Sequence, residues 1–171
     1  MDLLPMLAIA TLLIWAFITD LKSQIIPNRL TLPFFVAAFI YHTVANGLTG
    51  AGAAALGAAA GFVPLLLLHM AKGIGAGDVK LFGAIGAWTG VLVVLQLMFY
   101  AILYAGAIGL LLLLVNRDFG KRVASGVIAI ISPAAGWRKP EWLQWAGSGK
   151  KFPFMLAVAP AAVTVWSIFN I

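Results

Sequence analysis

The chain has 171 residues, of which 63% are hydrophobic and only 9% charged, with a formal net charge of +6 and no cysteine. Soluble domains carry roughly a quarter charged residues, so this composition cannot cover a water-facing surface. The missing cysteine excludes a disulfide framework and any cysteine-ligated metal. Continuous apolar runs, rather than alternating strands, define an all-α polytopic integral membrane protein and exclude an outer-membrane barrel.

The first span is expected over Leu3–Thr19, with Pro5 near its start, where proline is tolerated. No basic region precedes it and no small-residue cleavage site follows it, so it reads as a span and not a removed signal. A polar connection, Thr19 to Arg29, carries Pro27 and Asn28 as stop-and-restart residues, with Asn28 the expected N-cap. The second span covers Leu30 to about Ala45, with Pro33 in its first turn, and ends at the uncharged turn Asn46–Gly50. A third span runs from about Ala51 to Met70. Its Gly57 and Gly61 form a G-x-x-x-G pair that admits a close neighbouring helix, and Pro64 is expected to bend it.

Next comes Ala71-Lys72-Gly73-Ile74-Gly75-Ala76-Gly77-Asp78-Val79-Lys80, three alternating glycines with one carboxylate and two lysines. A short fourth span begins at Leu81–Trp88 and turns at Thr89-Gly90. The fifth is Val91–Val115. Between Asn116 and Lys151 basic residues alternate with the apolar piece Val123–Ala135. That piece is too short for a comfortable span and reads as interfacial or re-entrant, a seventh span being the alternative. Phe152–Phe169 is the last span. The whole chain, 1–171, forms a single transmembrane domain with about six transmembrane helices.

All eleven Lys and Arg residues fall in the connections after spans one, three and five. The positive-inside rule therefore puts those connections in the cytoplasm and both termini outside. The basic charge faces anionic headgroups of the lipid bilayer, and no nucleic acid is needed to explain it.

This topology sets Asp20, at the end of span one, and Asp78, at the start of span four, at one membrane depth on the cytoplasmic side. Asp78 alone could be a first-turn carboxylate that complements a helix N-terminus. Asp20 sits where a helix C-terminus disfavours negative charge, so it is either a solvated interfacial charge or functional. His42 lies far from the pair; His69 lies near enough to the loop to hydrogen-bond there, although a lone histidine at a helix end reads as structural. Ser23 and Ser125 have no evident base. Two carboxylates suffice for water-mediated peptide hydrolysis, one taking a proton from water while the other polarises the scissile carbonyl. Like charges held close cannot both ionise readily, which separates the two roles. Gly75 and Gly77 leave room beside Asp78 for an extended substrate backbone. The loop is not a phosphate cradle, since no hydroxyl residue follows Lys80.

Gly75-Ala76-Gly77-Asp78 matches the G-x-G-D signature of intramembrane aspartyl proteases. With Val79-Lys80-Leu81 after it, Asp20 seven residues before Pro27-Asn28, and Lys151-Phe152-Pro153-Phe154 leading into the last span, the chain resembles the type IV prepilin peptidases. The resemblance implies catalytic Asp20 and Asp78, with Gly75, Gly77 and Lys80 in an active-site loop and Pro27-Asn28 as a structural motif. It implies an aspartic endopeptidase of the cytoplasmic (inner) membrane that needs no metal and no cofactor. The substrate would be a prepilin whose short basic leader is cut after a glycine, ahead of its hydrophobic helix. Longer members carry a cysteine-bearing cytoplasmic domain and also methylate the new amino end. This chain resembles the short form that serves tight-adherence pili or archaeal-type filaments. Ala76 stands where the family often has a third glycine. A presenilin-like protease would place its first aspartate in a Tyr-Asp element, whereas Asp20 follows Thr19. A small ion- or proton-coupled transporter titrating the two aspartates is the other alternative, and it calls for carboxylates nearer mid-membrane.

Overall fold

The computed structural model describes residues 3–23, 26–71, 73–115 and 154–169. These form four helices, α1 (Leu3–Ser23), α2 (Asn28–Met70), α3 (Ala76–Val115) and α4 (Met155–Phe169). The chain divides into two compact units, 1–105 with 153–171, and 106–152. In the second, the described part is the helical end of α3. Everything below concerns the first.

Helices α1, α2 and α3 are each long and apolar enough to cross a membrane. With 43 residues, a straight α2 would reach about 65 Å at 1.5 Å per residue, twice the hydrocarbon thickness of about 30 Å. It breaks instead at Gly47 (φ 63°, ψ −147°), and α3 breaks the same way at Gly90 (φ 79°, ψ 179°). Both are left-handed conformations that a side chain resists and glycine accepts. The expected turns at 46–50 and 89–90 are thus single-residue corners, and the 91–115 arm begins where the hydrophobic pattern put it. Pro33 and Pro64 lie inside α2 without leaving helical dihedrals.

Lipid tails are as apolar as leucine, so helices associate through close packing, and small residues make that possible. The 48–70 arm of α2 lies against the 76–89 arm of α3 with almost no side chain between them. A Cβ on Gly57 would overlap the Gly86 carbonyl, one on Gly86 the Gly57 carbonyl, and one on Gly61 the Phe82 carbonyl. The G-x-x-x-G pair therefore does what its spacing implies. These partners run in opposite order along the two arms, so the arms are antiparallel. By contrast, Lys80 Nζ donates to Asn28 Oδ1 (2.8 Å) and Trp88 Nε1 donates to the Phe34 carbonyl (2.8 Å). Those partners rise together, so the first arm of α2 runs parallel to α3. Both ends of α2 accordingly come back to the side where α3 begins, with the two glycine corners at the other side.

Leu12, Leu65, Leu81, Phe82, Ile85, Val94, Met155 and Val158 fill the core, while Leu7, Trp15, Val44, Leu48 and Leu92 are exposed. An apolar exterior of this kind suits hydrocarbon and not water. This is an all-helical membrane protein. Helix α1 continues to Ser23, one turn beyond the expected Thr19, so Asp20 lies in its last turn. Pro27 is the N-cap of α2 and Asn28 its first helical residue, a correction to the expected Asn28 cap. Proline has no N–H to leave unsatisfied there, and the freed Asn28 amide oxygen accepts from Lys80. The piece Val123–Ala135 and the Lys151–Pro153 lead-in lie outside the described residues.

Candidate active site

Asp20 keeps 6% of its surface exposed and Asp78 8%. A buried carboxylate needs donors, and each has one from a helix N-terminus. Asp20 Oδ2 accepts the backbone N–H of Met155 (3.1 Å), the first residue of α4. The opening N–H groups of a helix have no partner within it, and they carry the positive end of its dipole. Although Asp20 belongs to the last turn of α1, its carboxylate thus sits on the favourable end of α4. Sequence reasoning placed Asp20 at an unfavourable helix terminus and missed Met155. A backbone donor leaves no residue-type signature, and the lead-in before Phe154 was the one hint.

Asp78 is the third residue of α3 and takes the N–H of Gly75, immediately before the helix. This is the reciprocal half of a capping box, in which a third-position acid reaches back to the N-cap amide. The first-turn reading of Asp78 therefore holds. The two carboxylates are near enough that the charge on Asp20 acts on Asp78. The fold has carried residues from α1 and α3 to one end of the bundle.

The glycines before Asp78 have local reasons. A Cβ on Gly75 would stand 3.1 Å from Asp78 Oδ2, and one on Gly77 3.0 Å from the Ile26 Cβ, just ahead of Pro27. Gly77 thus seats the start of α3 against the Ile26-Pro27 connection, whereas the sequence reading assigned its space to substrate. Lys80 is exposed and bonded to Asn28, which ties the Pro-Asn element to the helix that bears Asp78. At the end of α2, the Gly73 N–H reaches back to the Leu68 carbonyl (2.9 Å), a Schellman closure, and His69 Nδ1 contacts the Ile74 carbonyl (2.7 Å). His42 meets Tyr41 edge-on and Trp88 at a tilt, away from Asp78. Among the described residues, no fully buried side-chain nitrogen or oxygen lacks a hydrogen-bond partner.

An all-helical membrane protein with two buried, mutually interacting carboxylates at one end of its bundle is the class that fold and site define. Residues 7–114 match the Type IV leader peptidase family. The chain belongs to that family. It is 32% identical over 140 residues to the prepilin leader peptidase/N-methyltransferase of Bacillus subtilis, covering 75% of this chain and 55% of that protein. The protein of the same name from Aeromonas hydrophila is 31% identical over 145 residues, covering 78% and 49%. That from Vibrio cholerae is 35% identical over 99 residues, covering 53% and 38%. The chain spans about half the length of the curated relatives it matches first. No solved structure matches it.

Proposed function

We propose that this protein is a membrane-embedded aspartic endopeptidase that removes the short basic leader of type IV prepilins, of the tight-adherence kind, at the cytoplasmic face of the inner membrane. Asp20 and Asp78 hold the attacking water between them, one as general base and the other as the acid that polarises the scissile carbonyl. Gly75, Gly77 and Lys80 shape the loop around Asp78, and Pro27-Asn28 holds that loop from the neighbouring connection. Residues 1–171 act as one peptidase domain that crosses the membrane six times, α2 and α3 contributing two passages each and α1 and α4 one each, with both termini outside. The chemistry requires no metal and no cofactor, since both proton-transfer roles reside in the carboxyls.

The observation that carries the reading is the meeting of two buried aspartates from different helices at one end of the bundle. A transporter would place its titrating groups nearer mid-membrane. The test is co-expression with tight-adherence prepilins, following the leader-sized mobility shift. Asp20→Asn and Asp78→Asn should each lower cleavage by about a thousandfold or more, while inserting at wild-type levels, because an amide serves neither proton-transfer role. Near-wild-type processing by either variant would remove that residue from the mechanism.

A further inference from the structure

His69 reaches the loop before Asp78 at one particular atom. Its Nδ1 lies 2.7 Å from the carbonyl oxygen of Ile74. A carbonyl only accepts, so Nδ1 carries the proton and donates it. The oxygen belongs to the peptide group joining Ile74 to Gly75, and the other end of that group is the Gly75 N–H, which faces Asp78, whose Oδ2 lies 3.1 Å from where a Cβ on Gly75 would stand. The described chain has no cis peptide bond, and in a trans peptide the C=O and N–H point in opposite directions. Fixing the oxygen therefore aims the N–H. The three groups form one line: imidazole N–H to carbonyl, then amide N–H to carboxylate.

We infer that His69 is a positioning residue for Asp78, acting through the Ile74–Gly75 peptide group. The need for it follows from the loop's own composition. Gly73 and Gly75 flank Ile74, and a peptide plane beside glycine can rotate at little steric cost. The Schellman closure secures Gly73 to α2 but lies upstream of the plane that matters. From Ala76 onward the helical dihedrals of α3 take over. Of the peptide groups between these anchors, the one whose N–H faces Asp78 is the one that His69 holds. Donation into its carbonyl also polarises the amide, which strengthens the bond it makes to the carboxylate. His69 itself is half-buried in the last turn of α2, so its backbone is held by that helix and not by the loop. This inference rests on the reading of Asp78 as a catalytic carboxyl.

The test compares His69→Phe, which keeps an aromatic ring but no donor, with His69→Asn, whose side-chain amide can place an N–H near the position of Nδ1. His69→Leu replaces the first variant if it fails to insert. The substrate is a synthetic peptide of a short basic leader joined to an apolar helix, cleaved by full-length protein in detergent. His69→Phe should lose about tenfold in kcat with KM within about twofold, since the displacement is at the reacting group and not in substrate contacts. His69→Asn should recover most of that loss. A second measurement needs no turnover: coupling of Asp78 to a water-soluble carbodiimide, quantified by mass spectrometry with Asp20 as the internal reference. Coupling at Asp78 should rise in His69→Phe, where the oxygen loses its donor, and stay at the wild-type level in His69→Asn. A His69→Phe kcat within about twofold of wild type overturns the inference, as does equal loss in both variants, a loss confined to KM, or unchanged coupling. If wild type cleaves no peptide, the peptidase reading falls, and the carbodiimide comparison alone sustains or overturns the role of His69.

Discussion

Asp20 takes its hydrogen bond from Met155, 135 residues further along the chain, whereas Asp78 takes its own from Gly75, three residues before it. Both donors are N–H groups at a helix N-terminus, so the electrostatic solution is the same. The route to it is not. Asp78 is satisfied as soon as its own helix forms, through a capping box that needs only local chain. Asp20 is satisfied only once α4 has packed against α1, and before that it is a carboxylate in the last turn of a helix, where the dipole opposes it. A pair built this way has one carboxyl placed by local chain and one by tertiary packing. The site is complete only when the C-terminal helix is in place.

Met155 offers the sharpest way to break this comparison. Proline is tolerated at the first position of a helix, so Met155→Pro removes the N–H that Asp20 accepts while leaving α4 intact. The Met155 side chain is itself buried, so Met155→Ala is the control for lost packing. Charge-assisted hydrogen bonds are worth about 1.5–3 kcal/mol, so Met155→Pro should cut cleavage by about ten- to a hundredfold below Met155→Ala. Equal rates in the two variants would mean that the α4 N-terminus does not hold Asp20.

At Asp78 the corresponding change is Gly75→Ala. The added Cβ would lie 3.1 Å from Asp78 Oδ2, so the carboxyl must yield by a few tenths of an ångström. Displacements of about 1 Å in an active site cost about a hundredfold, so a smaller one should cost about three- to tenfold in kcat. Abundance in the membrane should not change, because the position is exposed and local. A variant with unaltered kcat would show that the glycine is there for the loop's conformation alone.

The smallest effect is expected from the tie between the two connections. Lys80→Ala and Asn28→Ala each remove the 2.8 Å bond that joins the Pro-Asn element to α3. Lys80 is exposed, so each loss should be about two- to fivefold. The double variant should be no worse than the poorer single one, as two residues sharing one interaction are non-additive. Additive losses would instead give Lys80 a role of its own toward substrate.

Much of this protein was legible in its sequence. Length and hydropathy of the apolar runs mark the helices because a hydrocarbon layer demands about 20 apolar residues whatever the neighbours are. The corners at Gly47 and Gly90 fell where glycine interrupted those runs, since only glycine readily takes the dihedrals they need. Gly57 and Gly61 announced a close helix contact, and the burial of Asp20 and Asp78 answers to their rarity in so apolar a chain. Tertiary structure decided the rest. It chose Gly86 and Phe82 as the partners of the small-residue stripe, carried α4 to Asp20, and turned His69 toward the Ile74 carbonyl. In each case the partner is a backbone atom, and every residue has the same backbone. Which amide or carbonyl is used depends on where helices cross, which side-chain identity does not encode locally.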